Sequence, residues 1–483
     1  MLTLALIAGA VGALALVLLG LGRRGAARRR AFLARYHGAW ARAPKRHKVL
    51  IVSPTLIRNT GALLKQRRLM LPALNVAVLA ALTPEDWDVG IVYETIEDVP
   101  FDTDAELIAI SAMGVGLWRG LQIADEFRRR GKKVVVGGPM ASLVPARVLE
   151  RADAVCVGEA EGVWVKILRD FEAGRLGGVY RAEPSATWSS PVPRYDLIAA
   201  KPIGFFLPVQ AGRGCPYRCD FCSIAAAHQG RYQRREIAEV VRDIEAAKTL
   251  GYRRILLLDD NIVSDKAFAL KLFAAVEQLG VEWMGQCAVS IADMPDLLAA
   301  AVRSGCTTLS FGLESVNQES LERANKHFAA VSDYERALTV IRAAGIDVST
   351  EMVLGLDGDG PDTFDRTADF ILRNRIALPR FYILTPIPGT PLHDRFTAEG
   401  RIVDDDFGHY NAAQVVFRPA GMTAAELQQG YWRLYDAVFE RGAIFRRVFG
   451  NPMSQSAFLR LFLLGVNFHY RSYVRRRICP GVV

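Results

Sequence analysis

Apolar and polar positions along the chain fall into three regimes. Residues 2–22, LTLALIAGAVGALALVLLGLG, carry no charge. About twenty apolar residues at about 1.5 Å rise match the hydrocarbon core of a bilayer, so this run predicts a transmembrane helix. From residue 48 short apolar runs take over: KVLIV (48–52), WDVGIVYE (87–94), ELIAISAM (106–113), KKVVVGGP (132–139) and DAVCVGE (153–159). Amphipathic stretches such as RGLQIADEFRRRG (119–131) separate them. Strand and helix in alternation predict a doubly wound parallel sheet. After a Pro-, Ser- and Trp-bearing stretch, EPSATWSSPVPRYD (183–196), the pattern resumes with FFLPVQAG (205–212), RRILLLDD (253–260), WMGQCAV (283–289), TTLSFGLE (307–314), DVSTEMVLG (347–355) and RFYILTP (380–386). Helical stretches between them, EIAEVVRDIEAAKTLG (236–251) and DYERALTVIRAAG (333–345), show i, i+3, i+4 apolar spacing and stop on Gly. Six such repeats are too few for the closed eightfold barrel and predict a partial (β/α)6 TIM-type barrel. From about residue 407 the chain reads as helical and aromatic-rich. Its last apolar stretch, FLRLFLLGVNFHY (458–470), is short for a membrane span and reads as a cap or interfacial helix.

Composition and charge refine this picture. A length of 483 residues suggests two or three packed units, and 51% hydrophobic with 23% charged content excludes broad disorder. The net charge of +9 is unevenly spread. No acidic residue precedes Glu85, whereas Arg23, Arg24, Arg28, Arg29, Arg30, Arg35, Arg42, Lys45, Arg46 and Lys48 crowd the early chain, and Arg471, Arg475, Arg476 and Arg477 sit near the C-terminus. Positive charge directly after an apolar run follows the positive-inside rule; a cleaved signal peptide would carry it before the run. The expected location is therefore the inner (cytoplasmic) membrane, single-pass, with the remaining chain in the cytoplasm and the basic segment on membrane lipid. Nucleic acid is not an expected partner. Neither GxGxxG after the first strand nor GxxxxGK[ST] occurs, which disfavours a dinucleotide site or a P-loop.

The stretch GRGCPYRCDFCSIA (212–225) gathers three of the seven cysteines, Cys215, Cys219 and Cys222, in a C-x3-C-x2-C array after the first barrel strand. In a barrel the chemistry sits at the C-terminal strand ends, where this loop falls. The odd count and uneven spacing read as metal ligation rather than a disulfide framework. A structural zinc site wants four ligands, with His228 the candidate fourth, whereas a cubane iron–sulfur cluster on three thiolates leaves one iron open. Cys156, Cys287, Cys306 and Cys479 stand alone, the first three reading as small buried residues on strands.

With Phe221 before its third cysteine, the array resembles the signature of the radical S-adenosylmethionine (SAM) enzymes. The resemblance implies a [4Fe-4S] cluster on Cys215, Cys219 and Cys222 whose open iron chelates SAM, which an electron from a donor such as flavodoxin or ferredoxin cleaves to a 5′-deoxyadenosyl radical. It implies SAM contacts at Phe221, at Asp259, Asp260 and Asn261 (standing where the family has Gly-Gly-Glu), at Glu314 and Ser315 of GLES, at Gly355 of VLGLDGD and at Thr385 of ILTPIPGTP. Tyr382 and His393 lie near the sixth strand's end, and the sequence assigns no catalytic residue.

The arrangement is most similar to the cobalamin-binding class of these enzymes, and PVPRYD, GLES, DGDG, TPIPGTP and NFHYR are closest to the hopanoid-methylase branch. In the first sheet, small residues at strand ends (Ser53, Ser111, Gly114, Gly116, Gly137, Gly138, Gly158) suit the approach of a large flat ligand. The resemblance implies cobalamin contacts at Ser111, Gly137, Gly138, Pro139, Gly158 and Glu159. No histidine lies between Lys48 and Ala200, so cobalt would have no protein imidazole. The expected organisation is a transmembrane anchor at 1–22, a basic juxtamembrane segment at 23–46, a cobalamin-binding-like domain at 47–182, a linker at 183–200, the radical SAM barrel at 201–400 and a helical region at 401–483. The expected function is methylation of an unactivated carbon on a lipid-like or otherwise hydrophobic small molecule. The alternative is a radical oxidoreductase or cyclase of the anaerobic porphyrin-ester-cyclase type. A methylthiotransferase would need more cysteines in the first domain than Cys156, and an electron carrier would need no open iron.

Overall fold

The computed structural model describes residues 25–38, 42–450 and 457–480. Its first sheet contains β1 (His47–Ser53), β2 (Trp87–Tyr93), β3 (Leu107–Ser111), β4 (Lys133–Gly137), β5 (Ala154–Val157) and β6 (Gly178–Arg181) in the order β2-β1-β3-β4-β5-β6. All pairs are parallel. Successive side chains on a strand point to opposite faces. Val49 and Ile51 join one hydrophobic core, while Leu50 and Val52 join a second on the other face. Helix Leu117–Arg129 covers the second face with Leu121, Ala124 and Phe127; helix Trp164–Glu172 covers the first with Trp164, Ile167 and Leu168. Burial on both faces is why these strands read as unbroken apolar runs. The sixth strand, GVYR, gave no such run because it is an edge, with only Tyr180 buried.

The second sheet begins with β7 (Leu207–Val209), followed by a short antiparallel hairpin of β8 (Gly212–Gly214) and β9 (Tyr232–Arg234). It continues with β10 (Arg254–Leu257), β11 (Glu282–Gln286), β12 (Cys306–Glu314), β13 (Asp347–Leu354) and β14 (Leu378–Ile383). The order β14-β13-β12-β11-β10-β7 is wholly parallel, a six-stranded partial barrel. Here the faces differ. Leu309, Phe311 and Leu313 of β12 are fully buried, whereas Ser310, Gly312 and Glu314 on its other face are only partly so. On β14, Phe381 and Ile383 are buried while Arg380 and Tyr382 face the opposite way. The inner surface of the barrel is thus polar along β12 and β14.

C-terminal helices cover the edge at β14 and reach the one at β7. In helix Ala424–Val438, the Tyr435 hydroxyl accepts from Phe381 N (3.1 Å) and donates to Phe381 O (3.0 Å), engaging the free side of β14. In helix Ala457–Val474, Asn467 donates to Ala377 O beside β14 (2.9 Å), and Phe462 meets Phe206 beside β7 with ring centroids 5.9 Å apart. Arg447, fully buried, ties these helices together by donating to Ile376 O, Ala377 O, Val438 O and Asn467 Oδ1.

The expected membrane attachment is corrected. Among the described residues no helix is long and apolar enough to cross a membrane, and the run at 2–22 lies outside them. The basic segment expected on membrane lipid is, in its described part, a helix at 25–36 packed on the protein. Its Phe32 is fully buried in the main core, Arg29 approaches Asp196 (3.7 Å) and Arg35 approaches Glu245 (3.6 Å). Those arginines have acidic protein partners, which a count of charges flanking an apolar run does not register. The single-pass placement in the inner membrane is withdrawn with the anchor.

Replacing Arg447 by Met removes charged donors from several buried acceptors, each such bond contributing about 1.5–3 kcal/mol before desolvation is offset. The expected outcome, read from denaturant unfolding of the purified chain, is a loss on the order of 2–4 kcal/mol with the helical content retained.

Candidate active site between two strand-end faces

The cysteine loop is held by the hairpin that sequence reading missed. Gly212 and Gly214 are required there: a Cβ on Gly212 would fall on the Tyr232 ring, and Gly214 has φ +79 with Arg231 O in the way of any side chain. Asp259 and Asp260, just past β10, fix this hairpin. Asp259 Oδ1 accepts from Ala211 N (2.9 Å) and Asp260 Oδ2 from Gly214 N (2.7 Å). Asn261 Oδ1 accepts from Ala288 N (3.0 Å), and its side chain lies near enough to Cys215 to pull that thiol down. The triplet therefore braces the loop from below. Burial pushes the Asp259 carboxyl up to about 7, against the pull of the Gly212 and Ala211 amides.

Cys219 is buried and Cys215 and Cys222 are partly buried. Burial pushes the Cys219 thiol up to about 12, with Lys326 pulling it down, and raises the other two as well. The nearby Tyr217 amide pulls the Cys215 thiol down against burial, and the Ala225 and Ile224 amides at the start of helix Ser223–His228 do the same for Cys222. Thiols largely withdrawn from water and close to N–H groups suit thiolates on an iron–sulfur cluster, whose potential hydrogen bonds and exposure tune. Among the described residues no three His, Cys, Asp or Glu side chains converge as ligands of one ion must. Cubane thiolates each bind a different iron and stand further apart. His228, the candidate fourth zinc ligand, lies against Gly214 and within the field of Asp260.

The remaining barrel candidates gather at the same end. Phe221 shares a small pocket with Leu356 and Leu384, which follow β13 and β14. Glu314 takes a left-handed backbone (φ +65) where β12 and β13 shift register, an uncommon conformation for a residue with a side chain. Lys326 Nζ donates to its Oε1 (2.9 Å) and to Gly312 O (2.7 Å). Ser315 Oγ accepts from Asn317 N, Gly355 N donates to Asp359 Oδ2, and Thr385 Oγ1 donates to Ile383 O, so these three shape turns.

The cobalamin candidates line the C-terminal edge of the first sheet. Ser111 Oγ accepts from Asn75 Nδ2 (2.7 Å), and Gly158 N donates to Ser142 Oγ (3.0 Å). Gly137 leaves room for Cys156, whose Cβ would lie 3.2 Å from an added Cβ. Gly138, at φ +119, passes so close to Ala112 O that only glycine fits, and Pro139 opens helix Pro139–Leu143. That helix packs on helix Ser223–His228 of the cysteine loop. Glu159 joins the domains directly: Arg213 of β8 donates Nη1 to Glu159 Oε2 (2.6 Å) and Nη2 to Glu161 Oε1 (2.8 Å). Its Nε donates to Gln210 and its guanidinium lies 4.3 Å from the Trp188 ring centroid. Trp118 stacking on Phe407 (4.5 Å) and Leu143 against Gly389 extend the contact. The two strand-end faces therefore look at each other. Sequence reading missed Arg213 and Lys326. Arg213 had one signal, its place between two glycines directly before Cys215.

One α/β unit thus presents three clustered thiols, one buried and two partly buried, and the other a glycine-lined sheet edge. The chain matches the radical SAM superfamily over residues 209–371, the B12 binding domain over 62–168 and a domain of unknown function, DUF4070, over 390–457. It is 28% identical over 433 residues to the bacteriochlorophyllide d C-12(1)-methyltransferase of Chlorobaculum tepidum, covering 88% of this chain and 94% of that one. It is 28% identical over 386 residues to the hopanoid C-2 methylase of Rhodopseudomonas palustris, covering 74% and 72%. In fold it is similar to the radical SAM methyltransferase TsrM of Kitasatospora setae, solved with cobalamin and a [4Fe-4S] cluster, with a TM-score of 0.64, 17% identity and coverage of 89% and 97%. The chain therefore combines a radical SAM domain with a B12-binding domain. Its cofactors are a [4Fe-4S] cluster, SAM and cobalamin.

Asp259→Asn tests the brace. Between the ordinary 3.8 and about 7 the folded state holds a proton on Asp259 that the unfolded chain has released, so this residue's contribution to stability falls as pH rises through that window. Thermal unfolding of Asp259→Asn is expected to show a flatter pH dependence there than wild type. Asp259→Ala, which strands buried amides, is expected to lose about 1–3 kcal/mol at every pH.

Proposed function

We propose that this enzyme transfers a methyl group to an unactivated carbon of a small organic molecule. Cys215, Cys219 and Cys222 hold the cluster, and the strand ends at Ser111, Gly137, Gly138, Pro139, Gly158 and Glu159 border the corrinoid. SAM lies among Phe221, Asp259, Asp260, Asn261, Glu314, Ser315, Gly355 and Thr385. The observation that carries this reading is the facing of the two strand-end surfaces across the Arg213 ion pairs with Glu159 and Glu161. When bound, the cluster with SAM supplies one-electron chemistry at carbon and the corrinoid a transferable methyl group.

The chain's own residues do the positioning. Asp259 and Asp260 hold the hairpin backbone, Lys326 places a cation beside Cys219, Cys222 and Glu314, and helix Pro139–Leu143 excludes water along the cysteine loop. A flavodoxin- or ferredoxin-type protein is the electron donor. The expectation of a lipid-like substrate rested on the membrane anchor and goes with it.

The test is anaerobic incubation of the reconstituted enzyme with SAM bearing a deuterated methyl group and extracts of cells lacking this chain. A product heavier by one labelled methyl, absent with Cys222→Ala, is the expected result. A product changed only by loss of hydrogen would replace methyl transfer with an oxidative cyclisation. About four irons with no cobalt per chain would remove the corrinoid from the reading.

A further inference from the structure

The barrel lumen holds a charged pair outside the cofactor contacts just described. Ser310, Glu351 and Arg380, on β12, β13 and β14, are brought together on the inner face. Arg380 Nη2 donates to Ser310 Oγ (2.9 Å) and to Glu351 Oε1 (2.5 Å), and Gln286 at the end of β11 donates to the same carboxylate oxygen (3.1 Å). The pair is not packed shut: its side chains remain 16% and 24% exposed, and Gln286 is exposed. Arg380 Nε is buried without a hydrogen-bond partner. A guanidinium offers five N–H donors, and both bonds above use Nη2, so the partly exposed fork has donors left for a further acceptor.

The surroundings limit what that acceptor belongs to. Tyr382, Tyr470 and Tyr435 lie within electrostatic reach of the guanidinium, alongside Glu351. Leu256 and Met284, on β10 and β11, stay outside the main core. Glu314, the neighbouring carboxylate, is engaged by Lys326. A cation between aromatic and apolar walls favours a flat apolar body carrying an anion. The planar fork of arginine matches a carboxylate, and charge-assisted bonds are about twice as strong as neutral ones.

We propose that Arg380 receives a carboxylate of the substrate, making the substrate class an aromatic or polycyclic acid rather than a plain hydrocarbon. This rests on the reading that the lumen is the substrate chamber of a methyltransferase. Glu351 pairs with the guanidinium and competes with an incoming carboxylate for it, and Ser310 and Gln286 hold Glu351.

The test titrates holoenzyme with a panel of aromatic and polycyclic carboxylic acids, each paired with its own methyl ester, reading affinity by equilibrium dialysis without turnover. At least one acid is expected to bind wild type about tenfold more tightly than its ester, the size of one charge-assisted bond. Arg380→Gln is expected to erase that preference and Arg380→Lys to keep part of it, with iron and cobalt content unchanged. Glu351→Gln, which releases the guanidinium from its partner, is expected to strengthen acid binding severalfold and decides the matter if Arg380→Gln does not fold. No acid-over-ester preference anywhere in the panel, a preference that survives Arg380→Gln, or no gain with Glu351→Gln overturns the assignment. A carboxylate preference in an enzyme that methylates nothing would instead overturn the reaction and leave the lumen site standing.

Discussion

Arg213 lies largely buried at a seam between two domains, and acidic groups from both sides hold it there. An unpaired guanidinium removed from water costs several kcal/mol, and Glu159 and Glu161 from the far side of the seam, with Asp260, Gln210 and the Trp188 ring, compensate it. Because Arg213 lies on the hairpin strand that leads directly into Cys215, this compensation fixes where the cysteine loop stands relative to the first sheet. The burial of Asp259 and Asp260 beneath the hairpin and the packing of helix Pro139–Leu143 on helix Ser223–His228 then follow as parts of one seam.

The two sheets meet that seam with opposite surfaces. The first is apolar on both faces, so its chemistry is confined to the strand-end edge, where Gly138 lies too close to Ala112 for any side chain. The second is apolar only outside. Its inner face carries Ser310, Glu351 and Arg380, and the incomplete circle is flanked at β14 by Tyr435 on the Phe381 backbone. A lumen with charged side chains thus lies beside a flat, glycine-lined sheet edge.

Much of this was legible in sequence because buried parallel strands announce themselves as short apolar runs, and C-x3-C-x2-C is specific in a barrel context. The edge strand Gly178–Arg181 and the hairpin β8–β9 were not legible: three or four residues without periodicity carry no signal until their partners are known. Asp259, Asp260 and Glu159 follow strands β10 and β5, where they are engaged with backbone amides or Arg213. Whether a carboxylate faces a ligand or braces a loop is decided by tertiary contacts. The run at 2–22 shows the converse hazard, since length and apolarity alone suggested a membrane anchor while the adjoining basic helix packs Phe32 into the protein core.

The most direct measurement of the central claim, that both domains share one reaction chamber, is pulsed electron paramagnetic resonance on the reduced holoenzyme carrying the reduced cluster and cobalt(II) cobalamin. The two centres are predicted to be magnetically coupled, with the cobalt signal broadened and its relaxation accelerated by the cluster. Arg213→Met is expected to weaken that coupling. Two independent spectra, with cobalt relaxing as it does in enzyme lacking the cluster, would mean that the facing strand ends do not form one site.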